Sequence, residues 1–301
     1  MQLSELGELG LLAELERRGL AVGVEHDAAF LRPDVVVTQD ALIEGVHFRL
    51  DWTSWHDLGY KAAAVNLSDL AASGAEPEGL LVSLAVPAET ELDRVLELYE
   101  GIAETTVPVL GGDTAAAQRV YVSVTALGRA ELVPGRDGAE PGDLVVVSGP
   151  LGSSAAGFLC LREGIESPLV EAHRRPPLRL AEGRRLAPRA HAMLDVSDGL
   201  AADAGHLAQR SGCRIVIDLE RVPVVPEVAE VAERAGVDLW ELVAGFGEDY
   251  ELLAAVEDRL VGFAEIGRCE EGEGVDLLLR GEPLRLTGFE HFRLGSIDGR
   301  G

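Results

Sequence analysis

Lysine is nearly missing from this chain: Lys61 is the single lysine among 26 basic residues, and Asn66 is the single asparagine. The two stand five positions apart in YKAAAVNLSD, a placement that marks the segment as one needing those side chains. Cysteine is scarce as well. Cys160, Cys213 and Cys269 are widely spaced, odd in number and form no C-x-x-C, which argues against a disulfide framework and a thiolate zinc site. No apolar run is long enough to span a bilayer, and the acidic N-terminus MQLSELGELGLLAELERRG is unlike a secretory or transit peptide, so a cytoplasmic protein is expected. Also missing are G-x-x-x-x-G-K-[ST], H-R-D, D-F-G, G-x-S-x-G and H-E-x-x-H, which removes the P-loop, the protein-kinase site and the usual hydrolase and zinc-protease signatures. Carboxylates, by contrast, are abundant. Against those 26 bases stand 52 Asp plus Glu, a formal net charge of −26. Such a surface repels nucleic acid and anionic lipid, so no nucleic-acid or membrane partner is expected. An anionic small substrate would need divalent cations between itself and the protein, and oxygen ligands favour magnesium or calcium.

A chain of 301 residues, 47% of them hydrophobic, has material for two domains and a substantial core. Leucines at helical spacing predict a helix over 3–18, and the Ala- and Leu-rich stretch from His56 to Ser73, stopped by Gly74, predicts another. Strands are expected at Val35–Val37, Leu80–Val86, Val107–Leu110 and Arg119–Leu127, with a helix over Glu91–Glu104. The Gly-, Pro- and charge-rich PGRDGAEPGD then divides the chain into expected domains 1–133 and 134–301. Beyond it the pattern restarts with strands at Leu144–Val147, Arg214–Leu219, Tyr250–Val256 and Val275–Leu279. Helices are expected from Ser153, near Leu178–Leu186, from Leu200 and around Val228–Arg234. Helices and strands mix without a clean βαβ repeat, which gives an α+β fold class.

Most acidic residues sit in solvated helical runs. A second set lies at the ends of apolar strands beside Gly, Ser or Thr: Asp27 (HDAAF), Asp40 (VVVTQDALIEGVHF), Asp113 (VLGGDT), and Asp195 with Asp198 (MLDVSDGL). Asp69 shares a helix face with Asn66 three residues earlier. Each alone reads equally well as a turn residue or cap; together, at strand ends in both halves, they point to a magnesium site. The glycines of LGGDT permit close approach to a phosphate, or make an ordinary turn. The GPLGSSAAG segment either presents N–H groups at a helix N-terminus or is a plain strand-to-helix turn.

These segments together, HDAAF, VVVTQDALIEGVHF, YKAAAVNLSDLAASGAEP, VLGGDT, LDVSDGL and GEDYEL, resemble the thiamine-monophosphate kinase family within the aminoimidazole ribonucleotide synthetase superfamily. The resemblance runs from about residue 20 to the terminal GFEHF. It implies an N-terminal α/β-sandwich domain that forms a homodimer with its counterpart and a C-terminal α/β domain closing over the cleft. It implies ATP and thiamine monophosphate as substrates and several Mg2+ ions held by Asp27, Thr38, Gln39, Asp40, Asp69, Asp113, Asp195 and Asp198. By the same resemblance Asp40, Asp69 and Asp113 act through metal, Gly112, Asp113, Arg136 and Ser197 contact ATP, and His47, Glu248 and Phe289 contact thiamine monophosphate. Judged without it, Glu248 is a strand-edge charge, Phe289 ordinary core and Arg136 an even choice between linker and ligand. Three positions depart from the family pattern: His26 replaces a carboxylate, Gln39 a threonine and Phe246 a glycine.

The chemistry fits independently. A phosphate monoester acceptor is already anionic and needs no general base, so positioning and charge neutralisation carry the transfer. Among related enzymes, a selenophosphate-type site would want a cysteine near the N-terminus and a hydrogenase-maturation type one at the C-terminus; this chain has neither. The aminoimidazole ribonucleotide synthetase itself and a non-catalytic metal- or nucleotide-binding module are the remaining alternatives.

Overall fold

Alternating side chains along VVVTQDALI and YVSVTALGR give two strands with one apolar face each, and a sheet grows on them. A computed structural model of the protein describes residues 28–31, 34–286 and 288, with positions 14, 17 and 18 near the N-terminus. The helix expected over 3–18 lies almost entirely outside those residues, as do Asp27 and Phe289.

The first sheet contains β1 (Ala29–Leu31), β2 (Val35–Ile43), β3 (Glu76–Val86), β4 (Val109–Ala116) and β5 (Tyr121–Arg129) in the order β1-β2-β5-β3-β4. Only β3 and β4 run parallel. On one face lie α1 (Trp55–Ala72) and α2 (Leu92–Ala103), whose Leu58, Leu67, Leu70 and Leu98 share a core with Val36, Val82, Val122 and Val124. No described element covers the other face.

The second sheet is built from β6 (Leu144–Val147), β7 (Ala190–Asp195), β8 (Arg214–Asp218), β9 (Leu252–Val256), β10 (Ala264–Glu270), β11 (Gly274–Leu279) and β12 (Glu282–Leu284), ordered β12-β11-β8-β10-β6-β9-β7. Between its strands run α3 (Ser153–Glu163), α4 (Leu169–Arg174), α5 (Leu180–Leu186), α6 (Leu200–Ser211) and α7 (Pro226–Ala235). Residues of α3, α6 and α7 cover one face in a large core with Val145, Val147, Leu253 and Ile266.

The two halves meet on α1. Its last turn, Ala71 and Ala72, packs with Val146, Leu186, Met193, Leu252 and Val256 of the C-terminal half. A helix buried on several sides loses the polar stripe of a surface helix, which is why its alanines dominate. The Ser54 hydroxyl accepts the Asp57 N–H at 3.0 Å to start it, a side-chain N-cap.

Two strands differ from expectation in a way that matters for the site. The strand expected at Val35–Val37 continues to Ile43, because β5 pairs along all of it, from Val35 opposite Arg129 to Ile43 opposite Tyr121. The strand expected at Val107–Leu110 is shifted to Val109–Ala116. Asp40 and Asp113 therefore sit within strands rather than in exit loops. Three strands, β1, β10 and β12, and the short α4 were absent from the sequence reading; β10 (AEIGRCE) carries charges that break an apolar alternation.

Candidate active site

α1 supplies the site's inner wall, and four of its polar side chains reach out from it. The buried Asn66 amide oxygen accepts the Asp40 N–H at 2.8 Å, while its nitrogen donates to the Ala62 carbonyl at 2.9 Å. The Thr38 hydroxyl donates to the Asp69 carboxylate, and the Ser68 hydroxyl donates to that of Asp195 at the end of β7. The Lys61 ammonium lies 3.1 Å from Glu248. One helix thus ties β2 of the N-terminal half to two acidic residues of the C-terminal half.

Alternation along β2 puts Thr38 and Asp40 on the face toward α1 and Gln39 on the opposite one. Asp40, Asp69, Asp195 and Glu248 all surround the buried Tyr250. Burial raises its phenol well above its ordinary range, and the negative charges of Glu248, Asp40, Asp195 and Asp69 raise it further. Acids from distant stretches of sequence thus lie close enough to one phenol for their charges to act on it.

A second group continues from Asp195. Asp198, Asp203 and His206 bring one potential ligand atom each within 4.8 Å of one another, and the Asp198 N–H donates to Asp203 at 3.1 Å. Burial raises the Asp203 carboxyl well above the usual range, helped by the charges of Asp198 and Asp195, while Arg136 pulls it down. Arg136 therefore stands beside this group. Asp203 and His206 were missed in the sequence; their i, i+3 spacing in a helix was the available sign.

The GEDY segment packs across the VSDG loop backbone to backbone. The Glu248 N–H donates to the Ser197 carbonyl at 2.8 Å and the Tyr250 N–H to that of Val196 at 3.0 Å. Glu248 (φ 65°) and Tyr250 (φ 51°) are both held in the left-handed region, strain of a kind that concentrates at functional sites. Asp249 between them caps α3, accepting the Gly152 N–H at 2.7 Å and the Ser154 N–H at 3.0 Å. Burial raises its carboxyl to about 7 against those two donors. The Gly152 and Ser154 N–H groups of the GPLGSSAAG segment are thus committed to Asp249, which favours the strand-to-helix turn of the two readings left open.

Two imidazoles stand near Glu248, and an aromatic group packs against one of them. His173 places Nδ1 3.4 Å from Glu248 and 3.1 Å from the Ser154 hydroxyl; burial foremost, then the Lys61 charge, lowers it to about 3, so it is neutral. The His47 Nδ1 accepts the Ile43 N–H at 3.1 Å, which leaves its proton on Nε2. Phe158 packs against His173, Phe246 and Trp52 with ring centroids 5.6, 5.2 and 5.8 Å apart. Phe158 and Phe246 also line a cavity of about 450 Å³ that Arg162 and Arg285 border, a volume suited to a small heterocycle. Trp52, Phe158 and His173 carried no motif by which sequence could single them out.

Three expected residues lie elsewhere. The Gln39 amide donates to the Ser123 hydroxyl at 3.1 Å and its oxygen accepts from Thr125 at 3.3 Å. It faces away from Asp40, so its side chain is not a ligand beside Asp40. Gly112 aligns with Asp40 through Val124 and Val82, three ladder steps or roughly 14 Å away, and Asp113 points to the uncovered face. Within one chain Asp113 stays apart from Asp40. A Cβ on Gly112 would lie 1.8 Å from the Val82 carbonyl oxygen, so that glycine is required by strand packing whatever else it serves.

Removal of the Asn66 amide is expected to disturb Asp40 directly. Asn66→Ala leaves the Asp40 N–H without its part-buried partner, a cost of about 1 kcal/mol. Chemical denaturation should register that loss, with turnover falling at least about tenfold as β2 shifts; wild-type turnover would show that Asn66 does not position Asp40.

Residues 25–130 match the AIR synthase related protein N-terminal domain, and residues 140–279 the AIR synthase related protein C-terminal domain. The chain is similar to the thiamine-monophosphate kinase of Aquifex aeolicus, with 37% identity covering 97% of this chain and 100% of that protein. Its identity to the thiamine-monophosphate kinase of Mycobacterium tuberculosis H37Rv is 34%, covering 99% and 95%. Among solved structures it resembles AaThiL complexed with AMPPCP and TMP, with a TM-score of 0.90 and 37% identity over 97% and 99% of the two chains. Escherichia coli HypE, a hydrogenase maturation protein, shares the fold, with a TM-score of 0.69 at 23% identity over 93% and 97%.

Proposed function

The chain belongs to the thiamine-monophosphate kinase family of AIR synthase related proteins, and from that premise we infer the reaction and its residues. It phosphorylates thiamine monophosphate with ATP, giving thiamine diphosphate and ADP. The observation that carries this reading is that Asp40 and Asp69 of one half and Asp195 and Glu248 of the other all act on the buried Tyr250, in a chain that matches the Aquifex aeolicus enzyme along almost its whole length.

Around Tyr250 the donors are oxygens: the carboxylates of Asp40, Asp69 and Asp195, with the Thr38 hydroxyl on Asp69 and the Ser68 hydroxyl on Asp195. That chemistry fits Mg2+, and Asp40, Asp69, Asp195 and Asp198 would hold it. When bound there, Mg2+ would supply the charge neutralisation that lets two anionic phosphates approach one another. A phosphate oxygen of thiamine monophosphate attacks the γ-phosphorus of ATP as the bond to the β–γ bridging oxygen breaks. No proton has to leave the nucleophile, which agrees with a neutral His173. Arg136 and Ser197, beside the Asp198 group, are assigned to the nucleotide. His47 and Glu248 are assigned to thiamine monophosphate, whose thiazolium cation complements an ionised carboxylate. Phe158 and Phe246 offer flat faces to its rings.

Asp113 is assigned to the same chemistry across a homodimer. Its face of the first sheet exposes the apolar Ile43 and Leu81, and the edge strand β4 is exposed along its length. A second copy packed on that face would bury them and bring Asp113 to its partner's site. Incubation with ATP and thiamine monophosphate tests the reading: thiamine diphosphate should form in step with ADP. Binding of both without product, or ADP release only with a formylamidine ribonucleotide, would refute it.

A further inference from the structure

The single lysine of the chain is 4% exposed, and it is spent on Glu248. We propose that Lys61 is a positioning residue for thiamine monophosphate, holding Glu248 at the substrate subsite across the junction of the two halves. The inference rests on the reading of Glu248 as a substrate-contacting group.

Four observations lead there. Lys61 belongs to α1 of the N-terminal half, whereas Glu248 belongs to the GEDY segment of the C-terminal half, and their 3.1 Å contact joins the two. The Glu248 side chain keeps 22% of its surface open while that of Lys61 keeps 5%. The carboxylate therefore faces the cleft and the ammonium stands behind it, out of a ligand's reach. Glu248 holds a left-handed backbone at φ 65°, a conformation that costs a non-glycine residue energy and persists only where its surroundings impose it. Those surroundings are few: the Ser197 carbonyl on its N–H, His173 on one carboxylate oxygen and Lys61 on the other.

The charge balance points the same way. Burial alone would raise the Glu248 carboxyl, yet Lys61 foremost holds it below its ordinary value. His173 is neutral, so the fixed positive charge opposite Glu248 is that of Lys61. An arginine, the base used everywhere else in this chain, has a planar fork that demands more room than a compact ammonium. At a helix position packed this tightly, lysine is the base that fits.

The test is a double-mutant cycle of Lys61→Met and Glu248→Gln in the full chain, with KM measured separately for thiamine monophosphate and for ATP. Lys61→Met should raise KM for thiamine monophosphate at least about tenfold, as expected when one partner of a buried ion pair is truncated. KM for ATP should stay within about twofold, a split that general loss of structure does not produce. In the Glu248→Gln background, Lys61→Met should change KM for thiamine monophosphate less than about twofold, since coupled residues do not add. A Glu248→Gln defect with Lys61→Met either silent or fully additive would overturn the role of Lys61. Wild-type KM in Glu248→Gln would instead overturn the assignment of Glu248 to substrate. Should Lys61→Met fail to fold, the double variant, which removes both charges, still decides against Glu248→Gln: equal KM supports the inference and a further rise overturns it.

Discussion

Asp40→Asn lowers turnover by roughly 10²–10³-fold, the loss typical when one charge-stabilising group is taken from a transition state, with the fold intact. Asp40 is held by its backbone, through the Asn66 oxygen at 2.8 Å, and the substituted residue would keep that bond. Its side chain is exposed at the cleft rather than packed, so unfolding free energy should change by no more than about 0.5 kcal/mol. What changes is charge. The carboxylate that shares the surroundings of Tyr250 with Asp69, Asp195 and Glu248 becomes a neutral amide, a much weaker ligand for a hard cation. Higher Mg2+ should recover part of the activity. Near-wild-type turnover at ordinary Mg2+ would remove Asp40 from the metal-binding set.

Gly247→Ala produces the second large loss, this time by space. A Cβ there would lie 1.8 Å from the Ser197 carbonyl oxygen and 2.8 Å from the Asp198 carbonyl carbon, both backbone atoms that no rotamer change can move. Either the GEDY segment or the VSDG loop must shift, and with it Glu248, Ser197 and Asp198. Forced overpacking costs about 1–3 kcal/mol, and a displacement near 1 Å at a reacting centre costs on the order of 10²-fold in rate. Thermal unfolding should fall by several degrees and kcat/KM by about 10²-fold. An alanine variant with unchanged kcat/KM would show that the two backbones do not need to touch.

The sequence was most informative where chemistry forces rare residues or fixed motifs. Asp40 and Asp195 could be picked out by their apolar neighbours and Asp69 by the helix face it shares with Asn66, and all three lie near Tyr250; the family resemblance holds along nearly the whole chain. Lys61 and Asn66 were marked only by rarity, and both prove buried and bonded to site residues. The three cysteines are free and buried. Spacing could not tell that β2 runs on to Ile43, because its length is set by β5, more than 80 residues away in sequence. For the same reason, the faces of Gln39 and Asp113 were illegible: a strand's alternation fixes which neighbours share a side, but not which side meets the helices. Phe158, His173 and Trp52 gather only because α3, α4 and the loop before α1 converge there, a matter of tertiary packing that local pattern does not encode.

The most direct examination of the site is anomalous diffraction from crystals grown with Mn2+, a non-hydrolysable ATP analogue and thiamine monophosphate. Ordered Mn2+ peaks bounded by carboxylate oxygens of Asp40, Asp69 and Asp195, between the two bound phosphates, are the predicted result. Both ligands bound with every peak remote from those three residues would contradict it.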